Sequence, residues 1–166
     1  MLQVHSEQDD YGNQCTTGWY VGDNKISHKE EKFVDDMLTI FKEKSGDLTI
    51  TQGNSHDFIG MDLAITKEKR VGIDMRKKIE EAIEIFGEEI KGKVSTPAAK
   101  HLLWVDDTKP LLYHKHKDSL HNVNSKCFYI TKRGRPDINP TVEILFTRVS
   151  NSNEDDWKKL ERLLIF

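Results

Sequence analysis

Cysteine is scarce: Cys15 and Cys127 are the only two in 166 residues, and they have no CxxC spacing. Two thiols cannot build a disulfide framework, so a reducing, intracellular location, cytoplasmic or nuclear, is expected. Long apolar runs are missing as well. Nothing approaches the roughly 18 residues that a membrane helix needs, and Met1 to Asp10 holds no basic stretch followed by an apolar one. Neither a membrane span nor a secretion signal is therefore expected. An excess of positive charge is also lacking, since 25 Lys and Arg face 28 Asp and Glu, which argues against a generically basic nucleic-acid binder.

What is present suits a globular chain with long polar connections: 36% hydrophobic and 32% charged residues, with a mean hydropathy of −0.65. The length allows one compact domain, or one and a half small ones. Charge is unevenly placed. Residues 1–90 carry 11 Lys and Arg against 19 Asp and Glu, 91–135 carry 10 against 3, and 136–166 carry 4 against 6. The basic middle can follow a phosphate backbone, although solvated lysines in a loop are the plainer explanation.

Gln14 to Val21 reads as a strand, Gly22-Asp23 or Asp23-Asn24 as a turn, and Lys25 to His28 as the return strand of a hairpin. Ser27 and Glu30 have capping-box spacing, and Phe33, Met37, Ile40 and Phe41 then share a helical face as far as Gly46. Three alternating runs follow: Asp47 to Gln52, Ile59 to Ile65, and Val71 to Met75. Gly53-Asn54-Ser55 and the charged Lys67 to Arg70 separate them, which predicts three antiparallel strands. Ile79, Ala82, Ile83, Phe86 and Ile90 predict an amphipathic helix closed by Gly92 and Pro97, with a loop over 92–116. Leu120, Val123, Cys127 and Ile130 mark the next helix, ended by Gly134 and Pro136. Asn139-Pro140 opens another along Val142, Leu145, Phe146 and Val149. Ser152 or Asn153 caps the last, whose stripe is Trp157, Leu160 and Leu164 behind the acidic Glu154, Asp155 and Asp156. Strands with helices, then helices alone, predict an α+β piece followed by a helical piece, without internal repeat.

The run Gln14 to His28, with Tyr20-Val21-Gly22-Asp23 at its turn, resembles the catalytic hairpin of copia-type retrotransposon reverse transcriptases, whose turn reads Tyr-Val-Asp-Asp. Phe58-Ile59-Gly60-Met61-Asp62-Leu63 looks like that family's Phe-Leu-Gly strand, which helps grip the primer terminus. Lys132 to Ile138, Arg148-Val149-Ser150 and Asp156 to Leu160 are similar to the segment that joins its thumb to its ribonuclease H domain. The motifs stand in the family's order and span residues 13–166. The resemblance implies a partial polymerase palm over 13–75, with a hairpin, a helix and a three-stranded primer-grip-like sheet. It implies a helical thumb and connection over 76–166, ending before any ribonuclease H domain, and residues 1–12 stay unassigned. It also implies RNA-directed DNA polymerase chemistry with Mg2+ on an RNA/DNA template-primer.

The departures bear directly on that chemistry. The family's nucleotide addition uses two magnesium ions held by three aspartates, because hard dications take oxygen ligands and two close dications need several negative charges around them. Gly22 stands where the first hairpin aspartate belongs, the strand carrying the upstream aspartate is not in the sequence, and the nucleotide-binding fingers are missing too. Asp23 alone remains as a catalytic remnant and weak metal ligand, and an aspartate in a hairpin turn is also structurally ordinary. No polymerase activity is expected of the chain by itself, unless another polypeptide supplies the fingers-palm half.

Other signals have plain readings beside their functional ones. Asp35 and Asp36 follow Phe33-Val34 in a false echo of the motif, on a solvated helix face. His114, His116 and His121 lack cysteine or carboxylate partners at ligand spacing and are expected to decorate the loop. Phe58, Ile59 and Gly60 are the primer-grip-like residues, and Phe58 and Trp19 fit a core equally well. Lys126, Lys132, Arg133 and Arg135 are the candidates for phosphate contacts, and Cys127 is expected to pack. A non-catalytic RNA/DNA-duplex-binding module and a retroelement relic without function are the alternative readings. Strand Gln14 to Val21, without neighbouring palm strands, is expected to leave an open edge.

Overall fold

The computed structural model describes residues 3–68 and 70–166, and its first strand, β1 (Gln3–Gln8), lies in the segment for which the sequence carries no expectation. β1 runs antiparallel to β2 (Gln14–Tyr20), which pairs with β3 (Asp23–Ser27) in a three-stranded sheet. Asp9 shapes the β1–β2 turn. Its carboxylate accepts the backbone N–H groups of Tyr11 (2.9 Å) and Asn13 (2.7 Å) and the Asn13 side-chain amide (3.0 Å). These bonds, the Asn13 side chain foremost, hold the Asp9 carboxyl below its ordinary range. The open edge expected on β2 is thus covered by β1, and the sheet's edge strands are β1, exposed along its whole length, and β3.

The helix α1 (Glu31–Ser45) forms where its periodicity predicts, but the Ser27 and Glu30 capping box does not. Ser27 is held in the ladder opposite Thr16, so it cannot turn back on the helix. His28 does that work: its Nδ1 accepts the Glu30 N–H at 3.1 Å, its ring stacks on Phe33 at 4.1 Å, and its Nε2 lies 3.2 Å from Asp9.

A second antiparallel sheet contains β4 (Ser55–Phe58), β5 (Met61–Ile65) and β6 (Val71–Asp74). Asp47 to Gln52 is not a strand, contrary to its alternation. Phe58 pairs with Met61 across a two-residue turn, so the partner of β5 is whatever immediately precedes that turn, and 47–52 is left without a ladder. The run expected to start a strand at Ile59 therefore starts at Met61. Lys69, in the charged connection, lies outside the described residues, as do Met1 and Leu2.

The chain divides into two compact units between Asp74 and Met75. In the second, α2 (Arg76–Phe86) stops earlier than its apolar spacing predicts, because Gly87 adopts φ 72 and donates its N–H to Ile83. Ile90 lies beyond the helix yet still packs on the core. An irregular connection leads to α3 (His114–Thr131), which begins inside the expected loop. A one-turn 3-10 helix, Pro136–Ile138, precedes α4 (Asn139–Arg148), and α5 (Glu154–Ile165) follows a full capping box between Asn153 and Asp156.

Burial is lopsided. Among the described residues of the first unit, only Cys15 and Leu63 are buried hydrophobics. The second unit buries fourteen, including Leu120, Val123, Val142, Leu145 and Leu160 with no measurable exposure. At roughly 1.5–3 kcal/mol per large apolar side chain, the helical unit holds most of the folding free energy. The chain is therefore α+β with two three-stranded antiparallel sheets and, among the described residues, five α-helices. None of these helices is long and apolar enough to cross a membrane.

Candidate functional site

Two hairpin tips in the first unit carry the motifs. In the first hairpin Tyr20 pairs with Asp23, so the turn is Val21-Gly22, one residue earlier than Gly22-Asp23 and two earlier than Asp23-Asn24. Val21 has φ 49, whereas Gly22 is not in the positive-φ region. A positive φ at the first central residue alone is the pattern of a II′ turn, in which glycine normally takes that first place. Here valine occupies the strained position and glycine follows it. Asp23 opens β3, exposed to solvent, beside the equally exposed Gly22.

The second tip, Ile59-Gly60, has φ 56 and φ 70, the I′ pattern that demands positive φ at both residues. Asp57 supports it by accepting the Gly60 N–H at 3.3 Å. Val21 and Ile59 are the only non-glycine residues at positive φ among those described, and each is β-branched, the side-chain class that tolerates this region least. Both fall inside the motifs on which the resemblance rests.

The two hairpins touch. The Phe58 ring lies over Gly18, where an added methyl would meet it at 3.5 Å, and Lys25 Nζ lies 2.5 Å from His56 Nε2. Burial pushes the Lys25 ammonium below its ordinary value. Trp19, 44% exposed, meets Phe41 of α1 edge-on at 5.7 Å. Sequence reasoning gave Lys25 and His56 no role, and no local signal distinguishes them, since their contact depends on the approach of two separate hairpins.

At the first tip the chemistry present is one carboxylate, the exposed Asp23, while Asp57 at the second tip accepts the Gly60 N–H. Asp35 and Asp36 are exposed on α1, and Asp35 accepts a hydrogen bond from Gln52 at 3.2 Å. No group of three His, Cys, Asp or Glu side chains among the described residues could hold a metal ion. A single aspartate at this tip does not fit a pair of magnesium ions.

In the second unit, the four candidate cations gather along α3 and its exit, each already engaged. Lys126 donates to Glu81 at 2.7 Å and, with Lys78, holds that carboxyl below its ordinary range. Lys132 reaches Asn139 (3.1 Å) and Glu143 (3.5 Å) and sits 4.7 Å from the Phe128 ring centroid. Arg133 stacks 3.7 Å over Tyr129 and donates to its carbonyl. Arg135 grips Asp137 through Nε and Nη2 at 3.0–3.2 Å, lowering the Asp137 carboxyl, and lies over Phe166.

The three histidines are on α3, not in a loop. His114 pairs with Asp118 at 2.8 Å along the helix. His116 stacks between Tyr113 (4.2 Å) and Trp157 (4.4 Å), and Trp157 stacks on Phe86 (4.6 Å), so this histidine belongs to an aromatic column. His121 meets Phe146 edge-on. Cys127 packs in the core, where burial pushes its thiol up to about 12. No protein-family model, no curated protein and no solved structure matches the chain.

Proposed function

We propose that this chain corresponds to the rear part of the polymerase module of a copia-type reverse transcriptase: catalytic hairpin, primer-grip hairpin, and helical thumb and connection. By itself it performs no nucleotide addition. One observation carries the reading. The β-branched residues forced to positive φ, Val21 and Ile59, sit at the tips of the two hairpins that bear the family's motifs. Strain of this kind is kept where a tip must present a set geometry to a ligand, and here both tips would address the end of a primer.

The chemistry of the tip argues against independent activity. Gly22 supplies no ligand, and Asp23 cannot organise two dications alone. The upstream aspartate of this reading would come from a fingers-palm segment, and RNA/DNA template-primer is its substrate. The duplex-binding alternative draws less support, because Lys126, Lys132 and Arg135 are bound to Glu81, Glu143 and Asp137 and would have to break those pairs to reach phosphates.

Primer extension on an RNA template with Mg2+ tests the proposal. The chain alone is expected to add no nucleotide, and extension abolished by Asp23→Ala would overturn that.

A further inference from the structure

Among the described residues, Lys25 has no carboxylate partner, and its side-chain contact is a histidine. Its Nζ lies 2.5 Å from Nε2 of His56, which joins β3 of the first sheet to β4 of the second. Both side chains are half-buried, and the Phe58 ring closes over Gly18, the residue paired with Lys25.

Only one proton fits between these two nitrogens. An ammonium has donors and no lone pair, so the imidazole must present a bare Nε2 to accept from it, and a protonated imidazole has none to offer. With both groups charged, the hydrogen bond becomes a repulsion between cations. Burial, which already pushes the Lys25 ammonium below its ordinary value, leaves less water to screen that repulsion.

Little nearby can absorb the second charge. Strand alternation puts Tyr20 of β2 and Asp23 of β3 on the face of Lys25, and neither pairs with it. On the face of His56 it sets Phe58 of β4, Met61, Leu63 and Ile65 of β5, and Val71 and Ile73 of β6, none of them titratable. The helix α1 packs on the opposite face of the first sheet, where Phe41 meets Trp19. A carboxylate in place of His56 would hold the lysine at any pH above about 4. Imidazole does so only while neutral, and histidine is the side chain that changes charge between about pH 5 and 8.

We infer that Lys25 and His56 form a proton-released latch between the two motif hairpins, closed while His56 is neutral and opened when both side chains carry charge. Opening lifts Phe58 from Gly18 and uncouples the Val21-Gly22 tip from the Ile59-Gly60 tip. The latch rests on this contact and not on the polymerase reading, and it is read without nucleic acid.

The test is a proton NMR titration of the full chain from about pH 8 to about pH 5, following cross-peaks between the Phe58 ring and the Gly18 α-protons. They should be strong at the upper end and disappear at the lower, in step with the His56 ring resonances. The closed-to-open ratio is expected to fall roughly 10- to 100-fold, the worth of one hydrogen bond to a charged group. Cross-peaks between Trp19 and Phe41 should persist, because the first sheet and α1 stay folded. His56→Gln keeps a neutral acceptor and Lys25→Met removes the second charge, so each variant should retain the Phe58 contact in acid. A contact that survives acidification in the unaltered chain, or that is lost as readily in either folded variant, would overturn the inference. So would loss of the Trp19 and Phe41 cross-peaks at the same pH, the mark of general acid unfolding.

Discussion

At the scale of single residues, Val21 and Ile59 set the terms of the candidate site. Each is a β-branched residue at positive φ, a placement that costs about 1–3 kcal/mol. Val21→Gly and Ile59→Gly should therefore each stabilise the first unit by about 1 kcal/mol, glycine's greater unfolded-state freedom offsetting part of the relief. Urea unfolding followed by Trp19 fluorescence measures this, and a lower midpoint in either variant would show that side-chain packing outweighs backbone strain. Neither position was legible in advance. Gly22-Asp23 and Asp23-Asn24 are the stronger turn dipeptides, and the pairing of Tyr20 with Asp23 overrides them.

Cys127 is a residue whose role was legible, because it lies on the apolar stripe with Leu120, Val123 and Ile130. Its thiol is pushed from 9.0 to about 12 by burial. A folded-state value above the unfolded one means that the neutral thiol is favoured by folding. The contribution is complete below pH 9 and is lost as pH rises toward 12, at about 1.4 kcal/mol per unit. Cys127→Ala should remove that alkaline component, and the native thiol should resist alkylation at pH 8. Rapid alkylation under native conditions would contradict its burial.

At the scale of elements, the helices of the second unit were the most legible, since a 3.6-residue stripe of Leu, Val, Ile and Trp survives any choice of boundary. Their ends were less so, because a glycine at positive φ or a cap decides them locally. Gly87, not Gly92, closes α2, and Asn153 opens α5. Asn153 accepts the N–H groups of Asp155 (3.0 Å) and Asp156 (3.2 Å) and also donates to the Asp106 carbonyl. Asn153→Ala should cost about 2 kcal/mol, at the upper end for caps because the loop contact is lost too. Thermal unfolding by far-ultraviolet circular dichroism reads the shift.

Strands were harder to place. Alternation is equally good in 47–52 and in Met61–Ile65, and only the second finds partners, because ladder formation depends on turns rather than on the strand itself. β1 was invisible for a related reason: all six of its residues are exposed, so it carries no apolar alternation to detect.

At the scale of the whole molecule, the two units differ in how they are held. The first buries Cys15 and Leu63 and leaves Val4, Ile40, Val71 and Ile73 at 45–65% exposure, whereas the second encloses a continuous core. Hydrogen exchange should separate them, with amides of α3 and α5 protected to the global limit and those of β1 and β6 exchanging through local openings. Uniform protection would mean that the sheets are bound more firmly than their burial implies.

The most direct measurement is primer extension on an RNA template by the Gly22→Asp variant together with a separately expressed fingers-palm half, in parallel with the unaltered chain and the same half. The account expects elongation only where Gly22→Asp restores the second carboxylate beside Asp23 and the complement brings the third. Elongation by the unaltered chain alone would contradict it, and so would an inert Gly22→Asp variant in a complex shown to form.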